Sequence, residues 1–82
     1  MLIALDAGNT NITIGAFEGE RLAARWRLRT VIEQTADEFG VLLRNLFSLS
    51  GLDLAAVDGV IVSSVVPPLD AALAAMSEKY FH

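Results

Sequence analysis

An uninterrupted apolar run at residues 2–5 constrains the fold of this 82-residue chain more than any other stretch. Four apolar side chains in succession favour a β-strand in the centre of a sheet, with both of its faces covered. A second strand-like stretch follows at residues 11–17, and Glu18-Gly19 supplies a turn into a third at residues 21–29. The sequence therefore predicts two successive β-hairpins.

The third stretch alternates between apolar and basic residues, as a strand with one buried and one solvated face does. The apolar face would hold Leu22, Ala24, Trp26 and Leu28, and the other face Ala23 with Arg21, Arg25, Arg27 and Arg29. We interpret the arginines as the charged face of an edge strand, where they discourage pairing with another sheet. An anion-binding surface is the alternative. Trp26 and Phe17 are expected to be core or dimer contacts.

The next segment predicts a helix that starts at a capping box and ends near Gly51. In Thr35-Ala36-Asp37-Glu38, the Thr35 hydroxyl can accept from the Glu38 N–H while the Glu38 carboxylate accepts from the Thr35 N–H. The apolar residues that recur at helical spacing are Phe39, Leu42, Leu43 and Leu46. Acidic residues in a first turn suit the helix dipole, so we interpret Asp37 and Glu38 as helix-start residues rather than a catalytic carboxylate pair.

A second, nearly continuous apolar run at residues 60–66 predicts another buried strand after the turn Asp58-Gly59. Pro67-Pro68 ends this run, and Pro68 can take the first position of a helix. The residues that then align on one helical face are Leu69, Leu73, Met76 and Tyr80. The predicted order is β-β-β-α-β-α, an α/β fold with a mixed sheet, and a further strand is expected after the last helix.

The residues that point most clearly to a ligand-binding site are the polar hexapeptide Asp6-Ala7-Gly8-Asn9-Thr10-Asn11. Asp6 places a carboxylate at a strand end, and Gly8 allows a ligand to approach the backbone. Side-chain donors beside free backbone N–H groups come from Asn9, Thr10 and Asn11. Such a group can hold a phosphate and its metal ion. An ordinary tight turn between two strands is the structural alternative.

Four short stretches have a characteristic order and spacing over all 82 residues. They are Leu5-Asp6-Ala7-Gly8-Asn9-Thr10-Asn11, Arg25-Trp26-Arg27-Leu28-Arg29-Thr30, Thr35-Ala36-Asp37-Glu38 and Asp58-Gly59-Val60-Ile61-Val62-Ser63-Ser64-Val65-Val66-Pro67-Pro68. Together they resemble the N-terminal part of the type III pantothenate kinases, members of the acetate kinase, sugar kinase, Hsp70 and actin superfamily. The resemblance implies that residues 1–82 are the N-terminal ribonuclease-H-like lobe, of the actin-like ATPase type, of a larger two-lobe kinase, truncated before its next strand.

For the complete protein, the resemblance implies ATP-dependent phosphorylation of pantothenate to 4′-phosphopantothenate, the first step of coenzyme A biosynthesis. Asp6 would hold Mg²⁺. The ATP phosphates would be bound by Gly8, Asn9, Thr10 and Asn11. The resemblance places the catalytic base downstream of His82, in a Gly-Ala-Asp-Arg-type segment, so no residue here is assigned to catalysis and the segment alone is expected to be inactive. It also implies a homodimer and a monovalent cation, K⁺ or NH₄⁺, without assignable ligands here.

Two other functions stay open: another ATPase or kinase of the same superfamily, and a non-catalytic interaction or dimerisation module. Ser63 and Ser64 are either ligand contacts near the Gly8 turn or small residues that satisfy a strand end before proline. His82 is the only histidine, and at the terminus it is not assigned a catalytic role.

Composition and charge exclude several classes of function. A net charge of −4 with six basic residues argues against a nucleic-acid surface. Without cysteine the chain has no disulfide, thiolate nucleophile or zinc-thiolate site. No stretch approaches the roughly 20 apolar residues that span a bilayer, and Met1-Leu2 lacks the basic start of a signal peptide, so a soluble cytoplasmic protein is expected. At 54% hydrophobic residues, the chain is expected to cover surplus apolar surface with missing chain or a partner.

Overall fold

The computed structural model describes residues 1–81 and confirms the predicted order of strands and helices. The strands are β1 (Leu2–Ala7), β2 (Asn11–Glu18), β3 (Arg21–Arg29) and β4 (Gly59–Ser64), and the helices are α1 (Ala36–Leu49) and α2 (Pro67–Phe81). A 3-10 turn at Leu54–Ala56, which the sequence pattern does not predict, precedes β4. α2 begins one residue before the predicted Pro68. His82 lies outside the described residues.

The four strands form one mixed sheet in the order β3-β2-β1-β4. β2 runs antiparallel to both β1 and β3, which gives the two predicted hairpins, and β4 runs parallel to β1. As a result, β1, β3 and β4 all end at the same edge of the sheet, where β2 begins. We call this edge, formed by Ala7, Asn11, Arg29 and Ser64, the site edge.

Both helices cover the same face of the sheet and enclose the core. The largest fully buried side chains are Ile3, Ile12, Ile14, Leu43, Phe47, Leu69, Leu73 and Met76. Alternate residues of β1 and β2 supply the sheet side of this core, as a period of two requires. The Trp26 ring lies 5.2 Å from that of Phe47, between centroids, which confirms its predicted packing role. Among residues 1–81, neither helix has the length and apolar character needed to cross a membrane.

Neither helix within residues 1–81 covers the opposite face of the sheet, which we call the open face. It carries Leu2, Ala4, Asp6, Thr13, Gly15, Phe17, Leu22, Arg25, Ile61 and Ser63. The prediction that β1 and the strand at residues 60–66 are buried on both faces is therefore wrong. Leu2 is 36% exposed and Ile61 57% exposed, because both helices pack on one face and β4 is an edge strand within residues 1–81. Phe17 likewise lies on the open face rather than in the core.

A β-bulge in β3 changes the predicted faces of that strand. Ala16 pairs with Ala24 but Phe17 pairs with Leu22, which leaves Ala23 as an extra residue. The extra residue moves Leu22 from the predicted apolar face to the open face, where it is 46% exposed. It also moves Arg21, now opposite Glu18, to the face away from the other arginines. In the described part of the chain, β3 is an edge strand and all four arginines are exposed, as predicted.

The ends of α1 follow the predicted pattern. The Glu38 N–H donates to the Thr35 hydroxyl over 3.2 Å, and the Thr35 N–H donates to the Glu38 carboxylate over 3.0 Å. Hydrogen bonds from the Thr35 backbone and hydroxyl hold the pKa of Glu38 below its usual value. After the helix, Gly51 takes a φ of +70°, and the Leu52 N–H donates to the Phe47 carbonyl over 2.8 Å. This left-handed closure is why glycine fits there.

Candidate functional site

The turn at residues 8–11 joins β1 to β2 at the site edge and is closed by its own backbone. The Gly8 N–H donates to the Asn11 carbonyl over 2.9 Å. A Cβ at position 8 would lie 3.2 Å from the same carbonyl oxygen, closer than most Cβ contacts. The structural reason for glycine here is this close approach of backbone to backbone.

Thr30, the first residue after β3, ties the turn to the rest of the sheet. Its hydroxyl donates to the Gly8 carbonyl over 2.6 Å, and its N–H donates to the Thr10 carbonyl over 2.9 Å. Thr30 lies within one of the four stretches that carry the family resemblance, but it was not predicted to belong to the site. Sequence alone carries no signal for this role, because it depends on the register that pairs Asn11 with Arg29 and so places the residue after β3 beside the turn.

The turn leaves backbone donors without protein partners. Across residues 1–81, the N–H groups of Asn9 and Thr10 donate to no protein acceptor. Both residues, and Asn11 beside them, are exposed. Unpaired N–H groups at an exposed turn are suitable donors for the oxygens of an anion.

Asp6 lies one residue before the end of β1, on the open face and exposed. In the sheet it stands between Thr13 on β2 and Ser63 on β4. The two ion pairs in the described part of the chain join Met1 to Asp58 and Lys79 to Asp37. The Asp6 carboxylate therefore makes no ion pair within residues 1–81. No three acidic, histidine or cysteine side chains gather within residues 1–81. A single carboxylate fits Mg²⁺, which keeps several waters and takes other ligands from substrate phosphates.

A hollow of about 360 Å³ continues from Asp6 across the open face. Its other lining residues are Ala4, Leu5, Thr13, Gly15, Phe17, Leu22, Arg25, Ile61 and Ser63. The hollow is mostly apolar. Of its polar residues, Thr13 and Ser63 flank Asp6 in the sheet, and Arg25 lies farther away on β3. Asp6 therefore stands where the polar site edge meets an apolar surface.

The two serines at the end of β4 have different surroundings. Ser63 is next to Asp6 on the open face and lines the hollow. The Ser64 hydroxyl accepts from the Val66 N–H over 3.0 Å and donates to the Val66 carbonyl over 3.3 Å. Ser64 therefore satisfies a strand end, whereas Ser63 is free to face a ligand at the same edge as the Gly8 turn.

Asp37 and Glu38 act at the start of α1 and do not form a catalytic pair. The Asp37 carboxylate accepts from the Tyr80 hydroxyl over 2.5 Å and from the Lys79 ammonium over 2.9 Å. The Glu38 carboxylate accepts from Thr35. Both side chains therefore have structural roles at the helix start, as predicted from the sequence.

The four strands form a mixed sheet with both helices on one face, and an aspartate precedes the glycine turn that joins the first two strands. This arrangement defines a ribonuclease-H-like α/β lobe of the actin-like ATPase type. The profile of the type III pantothenate kinase family matches residues 2–82, and the chain belongs to that family.

Relatives named type III pantothenate kinase match almost the whole chain. The protein from Solibacter usitatus is 70% identical over 82 residues, which are 100% of this chain and 31% of the relative. Those from Myxococcus xanthus and Roseiflexus castenholzii are each 53% identical over 81 residues, 99% of this chain and 32% of the relative. The chain thus spans about a third of the length of these curated relatives.

Proposed function

We propose that this chain is the N-terminal lobe of an ATP-dependent pantothenate kinase. The reaction transfers the γ-phosphoryl group of ATP to the hydroxyl of pantothenate, giving 4′-phosphopantothenate and ADP, and begins coenzyme A biosynthesis. The observation that carries the proposal is the placement of Asp6 and of the unpaired donors of the turn at one sheet edge, in a chain of this family.

Phosphoryl transfer needs positioning and charge neutralisation more than covalent chemistry from the protein. The N–H groups of Asn9 and Thr10 would donate to phosphate oxygens, and the Asn11 side chain would add a donor beside them. Asp6 would hold Mg²⁺, directly or through water, and Mg²⁺ when bound would neutralise charge on the phosphates. Gly8 would keep the turn tight enough for these donors to converge.

The remaining parts of the active site are proposed to lie outside these residues. We assign no catalytic base here, and the family resemblance places it, with most pantothenate contacts, further along the chain. A monovalent cation, K⁺ or NH₄⁺, and assembly as a homodimer are further proposals from the same resemblance.

The open face supports one alternative, an interaction or dimerisation module without catalysis. Leu22 and Ile61 expose apolar surface there, as a docking surface would. A lobe that packs against further chain of the same kinase would expose the same residues when seen alone. We therefore favour the kinase, for which the family match is independent support.

The test replaces Asp6 by Asn in the full-length protein. Asn keeps the size and the hydrogen bonding of Asp6 but removes its charge, so Mg²⁺-dependent turnover should fall by about 100-fold or more. The melting temperature should change little, because the Asp6 side chain is exposed and makes no ion pair within residues 1–81.

A matched control is Asp53→Asn, at another exposed aspartate. The Asp53 carboxylate accepts from the Ala55 N–H, a bond that Asn can keep. Asp53 lies before β4, at the opposite end of that strand from the site edge. Turnover of this variant should match the wild type. Wild-type kcat in Asp6→Asn would rule out the proposed metal role.

A further inference from the structure

Thr30 is the only residue outside the turn whose hydrogen bonds hold the turn's carbonyls, within residues 1–81. The bonds cross from the end of β3 to the loop between β1 and β2, over 22 residues of sequence. Thr30 is half-buried, so water competes less for its short 2.6 Å hydroxyl bond than at an exposed site.

The hydroxyl bond fixes the orientation of a whole peptide group. In a trans peptide, the carbonyl of one residue and the N–H of the next lie in one plane and point in opposite directions. Residues 1–81 contain no cis peptide. When the Gly8 carbonyl points at Thr30, the Asn9 N–H must therefore point away from β3.

The second bond acts on the next acceptor of the turn. The Thr10 carbonyl is held by the Thr30 N–H. Two carbonyl oxygens that would repel an anion are thus turned toward β3, while the N–H groups of Asn9 and Thr10 keep no protein partner within residues 1–81. In the described part of the chain, Thr30 alone therefore keeps the carbonyl oxygens of Gly8 and Thr10 on the side of the turn away from these N–H groups.

We propose that Thr30 is a positioning residue for nucleotide binding, which sets the direction of the Asn9 N–H through the Gly8–Asn9 peptide. This inference rests on the proposed function of the turn as the ATP phosphate site. Thr30 touches the turn and not the nucleotide. Without its hydroxyl, the Gly8 carbonyl is free to rotate toward the phosphate, and the donor is lost with it.

The experiment compares Thr30→Val and Thr30→Ala, which lack the hydroxyl, with Thr30→Ser, which keeps it, in the full-length protein. The dissociation constant for ATP with Mg²⁺ is measured by calorimetry, and KM for ATP and for pantothenate by steady-state kinetics. Both hydroxyl-less variants should weaken ATP binding by about fivefold or more, the effect of one lost hydrogen bond and a misaligned donor. Thr30→Ser should stay within about twofold of wild type, and KM for pantothenate should not change.

Ser50→Ala is the matched control. The Ser50 hydroxyl accepts from the Trp26 indole N–H over 3.2 Å, a side-chain bond that spans 24 residues of sequence away from the turn. Its loss should lower stability without changing ATP affinity. A general loss of folded protein lowers kcat per total protein and leaves KM unchanged, so the shift in KM separates positioning from mere stability.

Three results would overturn the inference: wild-type ATP affinity in Thr30→Val, a Thr30→Ser variant as weak as Thr30→Val, or failure of both hydroxyl-less variants to fold. The last result would make the bond a requirement for folding. Asp6→Asn, measured alongside, separates this inference from the proposed function. If Asp6→Asn loses turnover while the Thr30 variants bind ATP normally, only the positioning role is wrong, whereas wild-type turnover in Asp6→Asn removes the proposed metal role itself.

Discussion

At the level of single residues, the site edge combines hydrogen-bond donors that attract an anion with a carboxylate that repels it. The unpaired N–H groups of Asn9 and Thr10 attract phosphate oxygens, whereas the Asp6 carboxylate repels them. A divalent cation between Asp6 and the phosphates removes this conflict, since it binds both. Under the proposed function, the arrangement would therefore favour a metal-bound nucleotide over a free phosphate.

Arg25 tests whether the arginines of β3 take part in nucleotide binding. It lines the hollow with Asp6, but it is exposed and lies on an edge strand. Because exposed charges typically contribute less than about 1 kcal/mol, Arg25→Gln should leave both the melting temperature and KM for ATP nearly unchanged. Arg44→Gln, at an exposed position of α1, is the control. A tenfold rise in KM for ATP in Arg25→Gln alone would identify the arginine row as an anion-binding surface.

The candidate site residues could be chosen from sequence, but their relationships could not all be seen there. Asp6 and the glycine turn stand out because their chemistry differs from that of the flanking apolar runs. The two serines of β4 were treated alike, although alternation along a strand places Ser63 and Ser64 on opposite faces. Thr30 was missed because its role depends on the register of the hairpin, which places it beside Gly8 and Thr10.

At the level of elements, the start of α1 is tied to the end of α2. The Asp37 carboxylate accepts from Tyr80 and Lys79. These bonds hold the pKa of Asp37 below its usual value, and the bond from the Tyr80 hydroxyl has the largest effect. The same bonds raise the pKa of both Tyr80 and Lys79. The Tyr80 ring also packs on Gly40, where an added Cβ would lie 2.6 Å from a ring carbon. Glycine at position 40 thus permits the helices to meet.

The tie predicts a defined pH dependence of stability. A carboxyl with a lowered folded-state pKa adds stability above its unfolded pKa and loses it as pH falls through the folded value. For Tyr80 and Lys79, whose pKa values are raised, the contribution is present below the unfolded pKa and is lost as pH rises through the folded value. The stabilisation from these bonds should therefore be fully present between about pH 5 and pH 9. It should be small, because all three groups are exposed.

Melting curves of the full-length protein and of Asp37→Asn measure this contribution. The variant should melt lower by less than about 3 °C near neutral pH, and the difference should shrink toward zero below about pH 3. It should also shrink above about pH 11. Glu33→Gln, at an exposed acid in the loop before α1, controls for net charge. A difference that stays constant as the pH falls from about 7 to about 2 would contradict the assigned role of the Asp37 charge.

Local sequence patterns predicted the positions of strands and helices better than which face of each element is buried. The capping box and Gly51 fixed the ends of α1 because each acts through its own backbone. The bulge at Ala23 had no signal, since two neighbouring alanines fit either face. Residues Val65 and Val66 were predicted to extend β4, but the chain leaves the strand at Ser64. The Ser64 hydroxyl holds the Val66 backbone, and the Val66 side chain is buried.

For the molecule as a whole, the open face explains the apolar composition. Leu2, Leu22 and Ile61 are exposed on one side of a sheet whose other side packs against both helices. The edge of β4 has no neighbouring strand within residues 1–81. Because the chain spans about a third of its relatives, the open face and the β4 edge are the surfaces we expect further chain to cover.

The 82-residue chain by itself should therefore be inactive as a kinase and should self-associate. It carries the proposed metal carboxylate and phosphate turn, yet no assigned base to accept the proton of the pantothenate hydroxyl and no second lobe to exclude water. The assay measures ADP release with ATP, Mg²⁺ and pantothenate, together with the mass of the chain in solution.

Charge placed on the open face distinguishes specific from general association. Leu22→Lys and Ile61→Lys should reduce self-association, because each buries a charge if the open faces meet. Val41→Lys, at a residue of α1 that is equally exposed at 57%, should not. If all three variants associate like the wild type, the open face is not the contact surface. Robust pantothenate-dependent turnover by a monomer of this chain would place the whole active site within these residues, and the interpretation of the chain as one lobe of a two-lobe kinase would be wrong.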